Sequence, residues 1–266
     1  MPPSPLAVLD GHVLPAGEAM LPVTDEGLLR GDGVFEVMRV YEGRPFALEQ
    51  HLRRMVRSAA NLRLELDLTA VRRDLDALLA EAGPVDAAVR FLVTRGGRRI
   101  GLVELLTERA DTTRLATVEY VPPRVLDNIK SLSYAGNMLA TRLAQEAGAD
   151  EALLVTPHGR VLEGPTSALF VSLDGETLVT PPLTDRVLDS ITRRVLLAVV
   201  ERAREEVVTR DELRRAREAF LASTTREVQA VASVDGEPLP AAPGPLTLAA
   251  ADAFRARVRD ELRLSS

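Results

Sequence analysis

Cysteine is missing from the 266-residue chain. Its absence excludes disulfides, thiolate metal sites and a cysteine nucleophile. Tryptophan is missing too, and aromatic residues make up only 3%. With 46% hydrophobic residues, the core is expected to be built from Leu, Val and Ala. The three histidines, His12, His51 and His158, are scattered, which is not the spacing of a metal site. No apolar run approaches the roughly 18 residues that span a bilayer. The N-terminal Met-Pro-Pro-Ser-Pro has neither the basic nor the apolar region of a signal peptide. The net charge is −6, whereas nucleic acid and anionic membranes need a basic surface. These deficits point to a cytoplasmic globular protein with no nucleic-acid or membrane partner and no metal.

The most telling shortage is of lysine. Lys and Arg together number 33, and Lys130 is the single lysine. Arg replaces Lys readily as a solubilising surface charge, but not as an amine nucleophile. Lys can lose its proton and attack a carbonyl, and Arg cannot. The one position where lysine is retained is therefore a candidate for covalent chemistry.

Hydrophobic periodicity supplies the elements. A strand and turn surround Asp10-Gly11, and Pro15, Gly17, Pro22 and Gly27 mark 14–29 as mostly loop. Val34–Tyr41 reads as a strand with a return at Arg44–Leu48 after the Glu42-Gly43 turn. Leu48, Leu52, Met55, Ala59 and Leu62 share one helical face. A second amphipathic helix runs over Thr69–Ala82, with Thr69 as N-cap. Strands follow at Ala87–Thr94, ending at Gly96-Gly97, and at Leu115–Tyr120. Val121-Pro122-Pro123 is a stiff linker, since two prolines fit neither a helix nor a central strand. Beyond it, strands are expected at 151–155, 160–162, 168–171, 178–180 and 218–222. Helices are expected at 137–146, 191–204, 210–216 and 246–262. The expected fold is α/β (α+β) in two domains: residues 1–119, a linker at 120–124, and a larger domain at 125–266 carrying Lys130.

Asn128-Ile129-Lys130-Ser131-Leu132-Ser133-Tyr134-Ala135-Gly136-Asn137-Met138 resembles the lysine motif of class IV, fold-type IV aminotransferases. That family comprises D-amino-acid transaminases, branched-chain transaminases and aminodeoxychorismate lyases. Other blocks match in the family's order, over about residues 24 to 236. Gly31-Asp32-Gly33-Val34-Phe35-Glu36 is similar to its N-terminal active-site strand. Gly148–Leu153 is similar to the strand after the lysine helix. Val161-Leu162-Glu163-Gly164-Pro165-Thr166-Ser167 is similar to the cofactor-nitrogen motif. Ile191-Thr192-Arg193 and Ser223-Thr224-Thr225 are similar to its phosphate-binding turns.

The resemblance implies pyridoxal 5'-phosphate as cofactor and a homodimer. It also implies that Lys130 forms the Schiff base and later moves a proton. Glu163 would keep the ring nitrogen protonated. Arg54, Ile191, Thr192, Ser223 and Thr224 would hold the phosphate, with Thr166 and Ser167 beside it. Ser190 stands where the family commonly has Gly. Tyr134 either approaches the cofactor's phenolic oxygen or packs in the core.

The substrate side is less sharply marked. Strand alternation puts Phe35, Val37, Arg39 and Tyr41 on one face, and the first three are expected to line the pocket. Arg30, Arg90 and the loop residues Arg98 and Arg99 are candidate anchors for a substrate carboxylate. Lyases often have Thr at the position of Val37 and branched-chain enzymes often have Gly, so Val37 favours transamination of D-amino acids. The Arg-x-His pair of many D-specific enzymes is absent, since 98–100 reads Arg-Arg-Ile; recognition would instead use Arg30 and Arg90. The expected reaction transfers the amino group of a D-amino acid such as D-alanine to pyruvate or 2-oxoglutarate. The alternatives are an aminodeoxychorismate lyase releasing pyruvate, a branched-chain or (R)-amine transaminase, and a non-catalytic binding protein.

Overall fold

The computed structural model describes residues 5–264. The N-terminal Met1–Ser4, read above as lacking a signal sequence, lies outside the described residues. Backbone contacts divide the chain into two units. The first runs to Glu108 and includes Ile129–Tyr134; the second holds Arg109–Asn128 and everything from Ala135.

In the first unit, β1 (Leu6–Leu9) and β2 (His12–Pro15) form a hairpin whose turn, Asp10-Gly11, takes positive φ at both residues. A short helix α1 (Glu26–Arg30) precedes β3 (Gly33–Tyr41) and β4 (Arg44–Pro45). Then come α2 (Leu48–Asn61), α3 (Leu68–Ala82), β5 (Ala87–Thr94) and β6 (Arg99–Leu105). The six strands make an antiparallel sheet in the order β2-β1-β6-β5-β3-β4. The alternation expected of β3 is observed. Val34, Met38 and Val40 enter a core with Leu52, Met55 and Ala59 of α2, Leu75 and Leu78 of α3, and Val89 and Phe91 of β5. Phe35, Val37, Arg39 and Tyr41 take the opposite face.

Two local readings are corrected. The N-cap of α3 is Asp67, whose carboxylate accepts from Ala70 N at 3.0 Å, not Thr69. Arg98 lies in the loop as expected, but Arg99 does not. Arg99 opens β6 and pairs with Val93, because Gly96-Gly97 closes a tight hairpin in which Thr94 N donates to Arg98 O.

In the second unit, β7 (Thr112–Glu119), α4 (Ala135–Glu146), β8 (Glu151–Val155), β9 (Ala168–Ser172) and β10 (Leu178–Thr180) come first. They are followed by α5 (Ile191–Val199), β11 (Ala203–Glu205), α6 (Arg210–Leu213), β12 (Glu218–Ser223), β13 (Glu227–Val234), β14 (Glu237–Pro238) and α7 (Pro245–Leu262). Seven strands run β11-β10-β9-β12-β13-β7-β8, with β14 on β13. The boundary expected at 120–124 is therefore displaced. β7 pairs in parallel with β8 and β13, so it belongs to the second sheet. Lys130, expected in the larger domain, counts with the first unit. The helix expected at 191–204 ends at Val199, because Val200 is extended and 203–205 join the edge of β10. The helix expected at 210–216 stops at Leu213, and 160–162 makes isolated bridges instead of a strand. No helix among the described residues is long and apolar enough to cross a membrane.

The start of α7 is satisfied by a buried carboxylate on β12. Glu218 accepts from Leu246 N at 3.1 Å and from Thr247 N and Oγ1, both at 2.8 Å. Glu218→Ala strands these donors in a dry site and is expected to cost about 2 kcal/mol. Urea unfolding checks this; an unchanged midpoint would contradict it.

Candidate active site

Lysine 130 is placed by backbone pairing. Residues 130–132 run antiparallel along the edge of β3 that β4 leaves uncovered. Phe35 N donates to Lys130 O at 3.1 Å, and Leu132 N to Gly33 O at 2.9 Å. Lys130 N donates to Oγ of Ser58, a fully buried residue of α2, at 3.1 Å. The approach is close enough to require glycine at position 33. A Cβ there would lie 2.6 Å from Leu132 Cδ1 and Val93 O.

The lysine amine emerges onto the β3 face opposite the core. Its Nζ sits 4.2 Å from the centroid of the Phe35 ring and 3.4 Å from Tyr134 Oη. Tyr134 meets Phe35 edge-on at 5.1 Å. Tyr134 thus touches the amine directly and does not merely fill the core. Next along this face, Val37 pairs with Arg90 of β5. The Arg90 guanidinium lies 5.7 Å from the same Phe35 ring and is bonded to Glu104 of β6 at 2.6 and 3.1 Å.

The other arginines of this unit separate by their partners. Arg39 stacks over Tyr41 at 4.8 Å. Arg30, mostly exposed, pairs with Glu26 within its own short helix. Arg98 pairs with Asp10 at 2.7 Å, and Arg99 pairs with the buried Asp74 at 2.7 Å. All of these and Arg90 share the unit with Lys130; Arg98 and Arg99 are engaged in holding the β6 end of the sheet.

On the core face of β3 lies a charged cluster the sequence pattern did not reveal. Glu36 is fully buried and accepts from Arg54 Nε at 2.7 Å and Nη2 at 2.5 Å. His51 Nδ1 lies 2.8 Å from Oε2, the oxygen that also accepts from Arg54 Nη2. Burial pushes the Glu36 carboxyl up, but the Arg54 charge and the bonds from Arg54 and His51 outweigh it and hold it at about 2. His51 is pushed down by burial, with the Arg54 and Lys130 charges acting in the same direction, against its bond to Glu36. Arg54, expected at a phosphate, thus has one edge of its guanidinium fixed by Glu36.

In the second unit, Glu163 Oε1 accepts from Leu188 N at 2.8 Å. The Tyr120 hydroxyl is pushed up by burial and by the Glu163 charge, so these two groups are neighbours. Gly164 N donates to Ser167 O at 2.8 Å, closing the turn that carries Thr166 on the surface. Ser190 caps α5, its Oγ accepting from Arg193 N at 3.3 Å. Its backbone is extended, a conformation open to any residue, so the departure from Gly does not strain this turn. The first amides of a helix lack intrahelical partners and attract anions; here they belong to the buried Ile191 and Thr192.

Ser223 and Thr224 lie at the turn from β12 to β13. Behind that turn is a second missed cluster. Buried Arg226 donates to Glu151 Oε2 at 2.5 Å and to Gln229 Oε1 at 3.1 Å. Ser167 Oγ is 3.4 Å from Glu151 Oε1. The pair therefore ties the Glu163–Ser167 segment to the Ser223–Thr224 turn. It also engages the Ser167 hydroxyl, which was expected at the cofactor.

Each unit, taken by itself, offers donors that suit pyridoxal phosphate. The first offers the chain's one lysine amine and a fixed arginine. The second offers a carboxylate for a ring nitrogen, and helix amides with hydroxyls for a phosphate. Among the described residues no group of side chains could hold a metal.

The Glu36 cluster sets a pH dependence. The unfolded chain protonates His51 near 6.5 and Glu36 near 4.5, whereas folding holds both lower. Stability is therefore greatest above 6.5. It falls as pH drops through 6.5, and falls further from 4.5 toward about 2. Denaturation midpoints across this range check the sign. Glu36→Gln removes the lower part of the loss; stability that rises on acidification would contradict the assignment.

A family model described as amino-transferase class IV matches residues 33–234. The chain is 33% identical to a D-alanine aminotransferase of Bacillus licheniformis, with 90% of this chain and 92% of that protein aligned. It is 34% identical to a putative branched-chain-amino-acid aminotransferase of Methanocaldococcus jannaschii, covering 86% and 87% of the two chains. The PLP-bound structure of a hypothetical aminotransferase from Mycobacterium tuberculosis superposes with a TM-score of 0.87 at 27% identity, covering 96% and 99%. With the family model spanning residues 33–234 and relatives a third identical over most of their length, the chain belongs to the class IV aminotransferases, pyridoxal-phosphate enzymes of fold type IV.

Proposed function

We propose that this aminotransferase takes D-amino acids, D-alanine foremost, and passes the amino group to a 2-oxo acid such as pyruvate or 2-oxoglutarate. The observation that carries the reading is the Phe35 ring, against which both the Lys130 amine and the Arg90 guanidinium lie. An amine that attacks and a cation that binds carboxylate, held on one ring, suit an α-amino acid. Val37 beside them is apolar and adds no hydroxyl, which supports transamination over the lyase reaction. The D-alanine relative supports the stereochemistry.

Bound pyridoxal phosphate supplies the electron sink that makes the substrate α-hydrogen acidic. The rest is the work of this chain's own side chains. Arg90 binds the α-carboxylate through its guanidinium, with Arg30 as the second candidate and Phe35, Val37 and Arg39 lining the pocket. Lys130 Nζ would take the α-proton and return it two atoms away, on the far side of the amino nitrogen. Tyr134 Oη orients that amine. Glu163 holds a proton at the ring nitrogen. Arg54, fixed by Glu36, is the first unit's candidate for the phosphate; in the second unit the candidates are the amides of Ile191 and Thr192, with Thr166, Ser167, Ser223 and Thr224. Arg98, paired with Asp10 through Nη1, is a further candidate.

A homodimer is part of the proposal. Met20, Val23, Leu28 and Leu29 are exposed, Met20 by 77%, and apolar side chains so concentrated favour association. A cysteine-free chain also suits the reducing cytoplasm we propose for it.

The test is the visible spectrum of the cofactor-loaded protein with D-alanine and, in parallel, L-leucine. Loss of the cofactor band with D-alanine alone is expected. Loss with L-leucine alone would replace this reading with the branched-chain one. No change with either would turn the assignment to the lyase.

A further inference from the structure

Arg90 is held by a partner that sequence reading did not include. In the register of β5 and β6, Arg90 faces Leu102 while Ala88 faces Glu104. Arg90 and Glu104 are thus diagonal neighbours on one face, within mutual reach. Glu104 accepts from Arg90 Nε at 2.6 Å and from Nη2 at 3.1 Å. These two bonds use the side edge of the guanidinium. The group has five N–H donors in one plane. Both donors on Nη1 and the second on Nη2 are not used by Glu104, and one from each nitrogen makes up the end edge. An arginine on a strand is otherwise a long, mobile side chain, and fixing it beforehand strengthens binding without any new contact.

We infer that Glu104 is a positioning residue for substrate binding. It locks the plane of Arg90 against Phe35 and leaves the end edge for the substrate α-carboxylate. This rests on Arg90 being the carboxylate anchor proposed above. Two features separate a positioning role from simpler ones. The pair is open to solvent, with the Arg90 and Glu104 side chains 37% and 30% exposed, and ion pairs so exposed add little to stability. A carboxylate that merely competed for Arg90 would weaken substrate binding, so its removal would tighten it. A positioning carboxylate has the opposite effect.

The test compares cofactor-loaded wild-type protein with Glu104→Gln, Glu104→Asp and Arg90→Leu. Two quantities are read: the dissociation constant of propionate, an unreactive carboxylate, by saturation-transfer NMR, and the D-alanine half-saturation and limiting rate of band loss. Glu104→Gln is expected to raise both constants about tenfold and to change the limiting rate less than about twofold. The melting temperature stays within error of wild type, and Asp restores part of the loss. Unchanged or tighter propionate binding in Glu104→Gln, with weakened binding in Arg90→Leu, overturns the role of Glu104. Unchanged binding in Arg90→Leu overturns the anchor and the inference with it. If no amino acid discharges the band in wild type, the transaminase reading fails, while the propionate constants still decide on Glu104.

Discussion

Backbone pairing of residues 130–132 with β3 is the constraint from which the rest of the site follows. Two main-chain bonds and one to Ser58 Oγ fix a single lysine against a strand whose neighbours are already fixed by a full antiparallel register. A lysine on a free loop would sample many positions; one that continues a sheet edge has its Cβ direction set by the pleat. That direction sends Nζ over Phe35 and toward Tyr134. The same pairing explains why position 33 tolerates nothing larger than glycine, and why the lysine counts with the first unit although α4, which begins five residues later, counts with the second.

The two faces of β3 divide the electrostatic work. Its core face carries Glu36, fully buried yet ionised, because Arg54 and His51 surround it. Burying a charge without such partners would cost far more than the sheet could offset. The reward is a guanidinium with a fixed edge. Its other face carries the aromatic ring on which an amine and a second guanidinium meet. Arg54 and Arg90 are thus treated alike: each has a glutamate bonded to Nε and Nη2. One pair is dry and the other half-exposed, so the first contributes to the fold as well as to positioning while the second does little for the fold.

Much of this was legible in the residues. Alternation from Val34 to Tyr41 separated the core face from the opposite face, and the heptad-like spacing of Leu52, Met55 and Ala59 placed α2. The surviving lysine and the motif around Glu163 marked the two residues on which the proposed chemistry rests. What escaped notice was pairing over distance. Nothing local says that Glu36 waits for residues 15 and 18 positions later. Glu104 was invisible because Arg99 after two glycines looked like part of an exposed loop, when the glycines close a hairpin and Arg99 opens β6. Arg226 looked like one more surface arginine in an arginine-rich chain, yet it is buried against Glu151. The domain boundary moved because parallel pairing of β7 with β8 joins segments separated by a proline pair, and prolines mark stiffness, not ownership.

The central claim is that Lys130 is the residue that binds the cofactor covalently, and the composition makes this unusually direct to test. Only two kinds of primary amine exist in the chain, the Lys130 side chain and the N-terminus. Borohydride treatment of the cofactor-loaded protein, followed by proteolysis and mass spectrometry, reads which of them is modified. The account predicts one pyridoxyl phosphate adduct per chain, on the peptide containing Lys130. A peptide that stays unmodified there, in protein that visibly holds the cofactor, would contradict it.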